Sequence, residues 1–253
     1  MILRRIAQSI RSRDWFTFSI EFAIVVAGVF IGIQVANWNE ARKLAAQESS
    51  YLEQLREEIQ NYLIGVEQRV AYTAEVIGAG ERALAYLDGD GECGNHCEEL
   101  LVDFFHSSQV WGSSAQMAKY RELERLGFPS DPAVRELVRE FYFFIQDGSY
   151  VNEFPSAYRE TVRGHINPEA FRQLWGRCLA ILSGQIETLS RDCVADLGVL
   201  NSSTMLQSIH ADPLLKQQLQ FWLGQNLLAE TIFPGMRVRG EAAMAALERV
   251  LAD

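Results

Sequence analysis

Cys93-Gly-Asn-His96-Cys97 concentrates thiol and imidazole chemistry in five residues, so it is the first place to look for a metal. Haem attachment needs two cysteines three apart with histidine next, and this order differs. A zinc site needs a fourth ligand, and no matching cluster lies nearby. The same loop begins Asp88, Asp90, Glu92 and carries Glu99 at the twelfth place, like a calcium loop between two helices. That loop turns on a glycine at its sixth place, where this chain has Cys93. The four histidines, at 96, 106, 165 and 210, are scattered and show no HExxH spacing. A nucleophile elbow, a phosphate-cradling glycine loop and a dinucleotide fingerprint are all missing from the sequence. The reading is of a protein that is not an enzyme and that holds no cofactor or metal.

Cys93, Cys97, Cys178 and Cys193 then read as disulfide partners if the region is exported. Four cysteines allow three pairings, and spacing does not choose among them. Cys93 and Cys97 share a short glycine-bearing loop and can bridge each other. On one continuous helix Cys178 and Cys193 would stand about 22 Å apart, too far to bridge. They can meet only if the chain turns back at Ser183-Gly184. Phe141, Tyr142, Phe143 and Phe144 cover every face of a helix and read as core, as do Trp111, Trp175 and Trp222.

The segments that must position these groups begin with an uneven N-terminus. Residues 1–13 carry Arg4, Arg5, Arg11 and Arg13 and no acid. The chain's net charge is −10, so the remainder carries −14. Ile2, Ile6 and Ile10 alternate with the arginines, which suits a basic amphipathic segment on an anionic membrane surface. Residues 14–38 read as the transmembrane helix: from Trp15 to Trp38 the chain is apolar, with Glu21 and Gln34 the obvious exceptions, and those 24 helical residues rise about 36 Å against a hydrocarbon core of about 30 Å. Trp15 and Trp38 stand at the two edges, where indoles prefer the interface. A small-x-small cleavage site does not follow, which favours a retained signal anchor over a cleaved signal peptide. The positive-inside rule places the N-terminus in the cytoplasm and residues 39–253 in the periplasm of a Gram-negative cell, the chain crossing the inner membrane once.

Gly28-Val-Phe-Ile-Gly32 is a GxxxG element, and Ala36 extends the small-residue row. Glu21, Val25, Gly28, Gly32, Val35 and Asn39 fall on one heptad seam. This face would meet a protein partner or a second copy of the chain. The alternative is that the small residues face lipid and Glu21 sits near the interface. An overall pI near 5.0 argues against nucleic acid as a partner; a small-molecule ligand stays open.

The stretch Val25-Val-Ala-Gly28-Val-Phe-Ile-Gly32, with Gln34-Val35-Ala36-Asn37-Trp38-Asn39-Glu40 and Tyr51-Leu52-Glu-Gln-Leu55, resembles an uncharacterised family of bacterial single-pass membrane proteins, a domain of unknown function. A looser match lies at Tyr120-Arg-Glu-Leu123, Gly127, Ser130-Asp131-Pro132 and Phe141-Tyr142. The resemblance implies one membrane crossing and a helical extramembrane region. It implies no activity.

Beyond the span, Leu52, Leu55, Ile59, Tyr62, Leu63, Val66, Val70, Ile77 and Leu84 form a helical stripe through residue 87, fraying near Gly78 and Gly80. Further helices are expected over 97–106, 114–126, 132–146, 153–165, 168–197, 213–232 and 235–251, several opened by a cap residue before proline. Strand alternation is not evident. The expected fold is all-α, a transmembrane helix continuing into a long helix that packs with an extramembrane bundle. The expected function is an accessory or scaffolding subunit of a membrane complex, with a periplasmic ligand-sensing bundle as the alternative.

Overall fold

The computed structural model describes residues 15–111, 117–153, 156–182 and 186–252. The basic segment 1–13, the start of the expected helix at Ser114 and the turn at Ser183-Gly184 lie outside these residues. The described chain is all-α but for one hairpin: α1 (Trp15–Asp88), α2 (Cys97–Ser107), α3 (Ala118–Leu126), α4 (Pro132–Glu153), α5 (Ala157–Gly164), α6 (Pro168–Arg177), β1 (Leu179–Leu182), β2 (Ile186–Leu189), a 3-10 turn (Arg191–Asp196), α7 (Ser202–His210) and α8 (Leu215–Ala252). Two compact units divide it, Met1–Leu52 and Glu53–Asp253.

In the first unit, the apolar turns of α1 have a mean hydropathy of 2.2 over 18 residues, and none of that window is buried. This stretch is long and apolar enough to cross a bilayer.

In the second unit, α1 buries Leu55, Ile59 and Val66, and then Tyr72, Val76, Ala79, Ala83 and Tyr86. The buried edge drifts around the helix, which leaves Val70 exposed although the stripe predicted it inside. Helix α1 does not fray at its glycines. A Cβ on Gly80 would lie 2.5 Å from Leu223 Cδ2, so glycine is there to let α8 approach. Gly240 does the same from α8, where a Cβ would come within 2.6 Å of Leu63 and 2.9 Å of Phe141. Tyr62 meets the Phe141 ring edge-on at 5.5 Å, and Tyr142 donates to Glu58 at 2.5 Å.

Helix α2 lies at the centre. Its last seven residues, Leu101 to Ser107, are all buried. Phe104 packs with Tyr86, Tyr158, Leu206, Ile209 and Trp222. Phe105, on another face, packs with Leu174, Cys178, Cys193 and Met205. Leu101, Val102, Phe104 and Phe105 put apolar side chains on more than one face, and such a helix belongs inside.

Three expectations change. The helix expected over 168–197 stops at Arg177, and an antiparallel hairpin follows with Leu179 opposite Leu189 and Leu182 opposite Ile186. The β-branched Ile181, Ile186 and Thr188 suit that hairpin. The two helices expected either side of Pro234 are one, α8. Proline there removes a backbone hydrogen bond, and burial of Ala229, Phe233 and Met236 around it against Val66 of α1 outweighs the loss. Helix α7 was not expected; Asn201 at its start makes no side-chain cap, and Met205, Leu206 and Ile209 hold the helix by burial.

Candidate functional site

The seam predicted on the apolar turns is wholly exposed. Val25 and Val35 are 63% and 57% accessible, and a Cβ added to Gly28 or Gly32 would meet no atom within 4 Å. Glu21 and Ala36 are exposed with them. At one edge the Ser19 hydroxyl donates to the Trp15 carbonyl at 2.7 Å, satisfying itself on its own helix. At the other, the Arg42 guanidinium stands over the Trp38 ring at 5.9 Å. A surface this apolar is unusual in water.

The cysteines form two bridges, Cys93–Cys97 and Cys178–Cys193, with Cα separations of 5.0 and 5.1 Å. The hairpin turns the chain back so that Ser190 N–H donates to the Cys178 carbonyl. His106, Cys178 and Cys193 bring one ligand atom each within 4.8 Å of one another. Bonded together, the two sulfurs have no thiolate to offer a metal. The calcium-like loop is otherwise engaged: Asp88 pairs with Lys216, and Asp90 accepts from Glu92 N–H at 3.1 Å.

A buried charge cluster on α2 escaped the sequence reading. Asp103 accepts from Arg82 at 2.9 Å, and from Arg191 through Nε at 3.0 Å and Nη2 at 3.1 Å. One turn on, buried His106 faces Glu75 with Nδ1 at 3.4 Å and the Cys178 carbonyl with Nε2 at 3.1 Å. Both neighbours of the ring are acceptors. The hydrogen bond from His106 is the main reason the Glu75 carboxyl titrates below the usual carboxylate range, with Arg82 adding to it. An acid and a histidine inside the apolar run Leu101-Val-Asp-Phe-Phe-His106 were the available signal.

His165 joins Ser208 (2.7 Å from Nδ1) to Asp212 (3.3 Å from Nε2). The order is that of a nucleophile relay. However, Ser208 lies in the last turn of α7, whose carbonyl end disfavours an oxyanion. Asp212 meanwhile accepts from Leu214 N–H at 2.9 Å at the start of α8, and this bond is the main reason its carboxyl is held low. The arrangement fastens α7 to α8.

The aromatic run divides as a helix must. Phe141 and Tyr142 are buried and Phe143 is exposed, while Arg239 stands over the Phe144 ring at 4.1 Å. Tyr142 stacks on Tyr120 at 4.3 Å and lines a cavity of 580 Å³ between α3 and α4 with Phe143 and Arg121. Trp222 is a core anchor whose indole donates to the Ser107 carbonyl at 2.7 Å. Trp175 is 40% exposed, apart from that cavity, and packs edge-on against Phe105.

Residues 21–82 match a family described as a family of unknown function (DUF6090). Comparison with curated proteins finds no match, and comparison with solved structures finds none. The matched residues cover most of the apolar turns and the part of α1 that carries Glu75.

Proposed function

We propose that this is a single-pass membrane protein whose helical region binds other proteins, a non-enzymatic accessory or scaffolding subunit of a membrane complex. The observation that carries the reading is the apolar part of α1, of which none is buried. Lipid is the solvent such a surface needs, with Trp15 and Trp38 at its two boundaries. The four arginines of residues 1–13 orient it with that end in the cytoplasm and the disulfide-bearing region in the periplasm. Glu21, Val25, Gly28, Gly32, Val35 and Ala36 are the face offered to a partner helix or a second copy. A carboxylate in the span is better accommodated against protein than against lipid.

Purification in a gentle detergent after crosslinking in native membranes tests this. A stoichiometric partner or a homo-oligomer is expected, and Gly32→Leu should disperse it. A monomer that brings nothing with it would overturn the reading.

A ligand-sensing bundle relaying to a membrane partner is the second reading. The cavity between α3 and α4 favours it, since 580 Å³ is within the range of small-molecule sites. A small molecule retained through purification and lost from a Tyr120→Ala variant would support it; a cavity that retains nothing would count against it.

A further inference from the structure

The cavity of 580 Å³ is lined by one side of each of two facing helices. Tyr120, Arg121 and Glu124 come from α3. Glu136, Arg139, Glu140 and Phe143 come from α4, at the three- and four-residue spacing that keeps side chains on one helical face. The apolar part of the wall is the Tyr120 ring, stacked on Tyr142, and the Phe143 ring, which is 69% exposed.

Most polar groups of this wall already have partners. The Tyr120 hydroxyl donates to Glu124 Oε1 at 3.4 Å. Arg139 lays its fork on Glu136, with Nε at 3.0 Å and Nη2 at 2.6 Å. Two charges of opposite sign are left, Arg121 on α3 and Glu140 on α4. Neither side chain forms an ion pair or a hydrogen bond with a described residue, and they do not pair with each other across the cavity. Glu140 acts electrostatically on Arg139, but that guanidinium is taken by Glu136. Glu124 keeps its charge while accepting from Tyr120, and so adds to the side that draws a cation.

We propose that this cavity binds a zwitterionic α-amino acid with an apolar side chain, its carboxylate on Arg121, its ammonium on Glu140 and its side chain against Phe143 and Tyr120. The proposal rests on the reading of this region as a ligand-sensing bundle and gives the ligand a chemical class. A guanidinium fork matches a carboxylate through two parallel hydrogen bonds, and an ammonium donates to a carboxylate in the same charge-assisted way. A simple amine would use Glu140 and displace water from Arg121 without replacing it. A simple anion would use Arg121 and meet the repulsion of Glu124 and Glu140. A neutral apolar molecule would cover both charges and pair neither, which is costly. Only a ligand carrying both charges answers both residues, and an apolar side chain answers the rings.

The test titrates L-phenylalanine into the full chain in a maltoside detergent, followed by calorimetry. Two truncated compounds run beside it: phenethylamine, which lacks the carboxylate, and hydrocinnamate, which lacks the ammonium. Saturable binding of phenylalanine is expected, with each truncated compound at least tenfold weaker. Arg121→Gln should weaken phenylalanine about tenfold and leave phenethylamine unchanged. Glu140→Gln should weaken phenylalanine by a similar factor and leave hydrocinnamate no weaker. Both residues are exposed, so neither substitution disturbs the core. Phenethylamine binding as tightly as phenylalanine, or unchanged phenylalanine affinity in both variants, would overturn the proposal and leave the sensing reading standing with a different ligand. Binding of none of the three compounds would also overturn it. The sensing reading is then decided separately, by whether the purified protein retains a molecule that Tyr120→Ala loses.

Discussion

The Asp103 carboxylate is fully buried, and Arg191, 88 residues further along the chain, holds it through two parallel hydrogen bonds. Arg82 of α1 also donates to this carboxylate, at the Oδ1 oxygen that Arg191 Nε binds. The central helix is thereby tied to the long helix and to the segment behind the hairpin. Removing the acid should cost more than removing either arginine, because it breaks both ion pairs at once, whereas a carboxylate that loses one guanidinium keeps the other. Asp103→Ala should lose about 3 kcal/mol and Arg191→Met about 1–2 kcal/mol in urea unfolding. An Asp103→Ala variant as stable as the parent would show that the cluster holds nothing together.

The bridge between Cys178 and Cys193 closes a loop with a sequence separation of 15. A loop of that size restricts the unfolded chain enough to contribute about 3 kcal/mol. The double substitution to serine should lower the urea midpoint accordingly. Replacing Cys93 and Cys97, four residues apart, should cost less. Equal losses from the two pairs would contradict the loop-length argument.

Two sets of glycines should behave oppositely. Gly240→Ala forces a methyl against Leu63 and Phe141 and should cost about 1–3 kcal/mol by overpacking. Gly28→Ala and Gly32→Ala meet nothing in the chain and should leave its unfolding unchanged. Under the proposed function their effect should fall on the oligomeric state, read by crosslinking in membranes.

Glu75 gives a pH dependence of known sign. His106 and Arg82 hold its carboxyl below the ordinary value of 4.5. The native state therefore binds this proton less readily than the unfolded chain. The resulting stability is fully present above about pH 4.5 and is lost as the pH falls through the lower native value. Melting temperature followed from pH 7 to pH 3 should fall less steeply in Glu75→Gln than in the parent. Parallel curves would mean that Glu75 is not coupled to His106.

The chain's own pattern shows an all-helical protein with one exposed apolar stretch, because these properties are local. A periodic stripe such as Leu55, Ile59 and Val66 announces a helix wherever it packs, and Ser130-Asp131-Pro132 announces a start. Local signals mislead where packing outweighs them. Pro234 predicted a break that the buried Phe233 and Met236 override, and a helix drawn through Cys178 and Cys193 gives way to a hairpin. The polar interior was decided only by the tertiary structure. Asp103 and His106 stand out within their apolar run, but Glu75, Arg163 and Arg191 are ordinary residues in sequence, far from that run and without a motif. Burial removes the water from Asp103 and His106 and leaves each dependent on whichever partner the fold brings near, and no spacing along the chain records that choice.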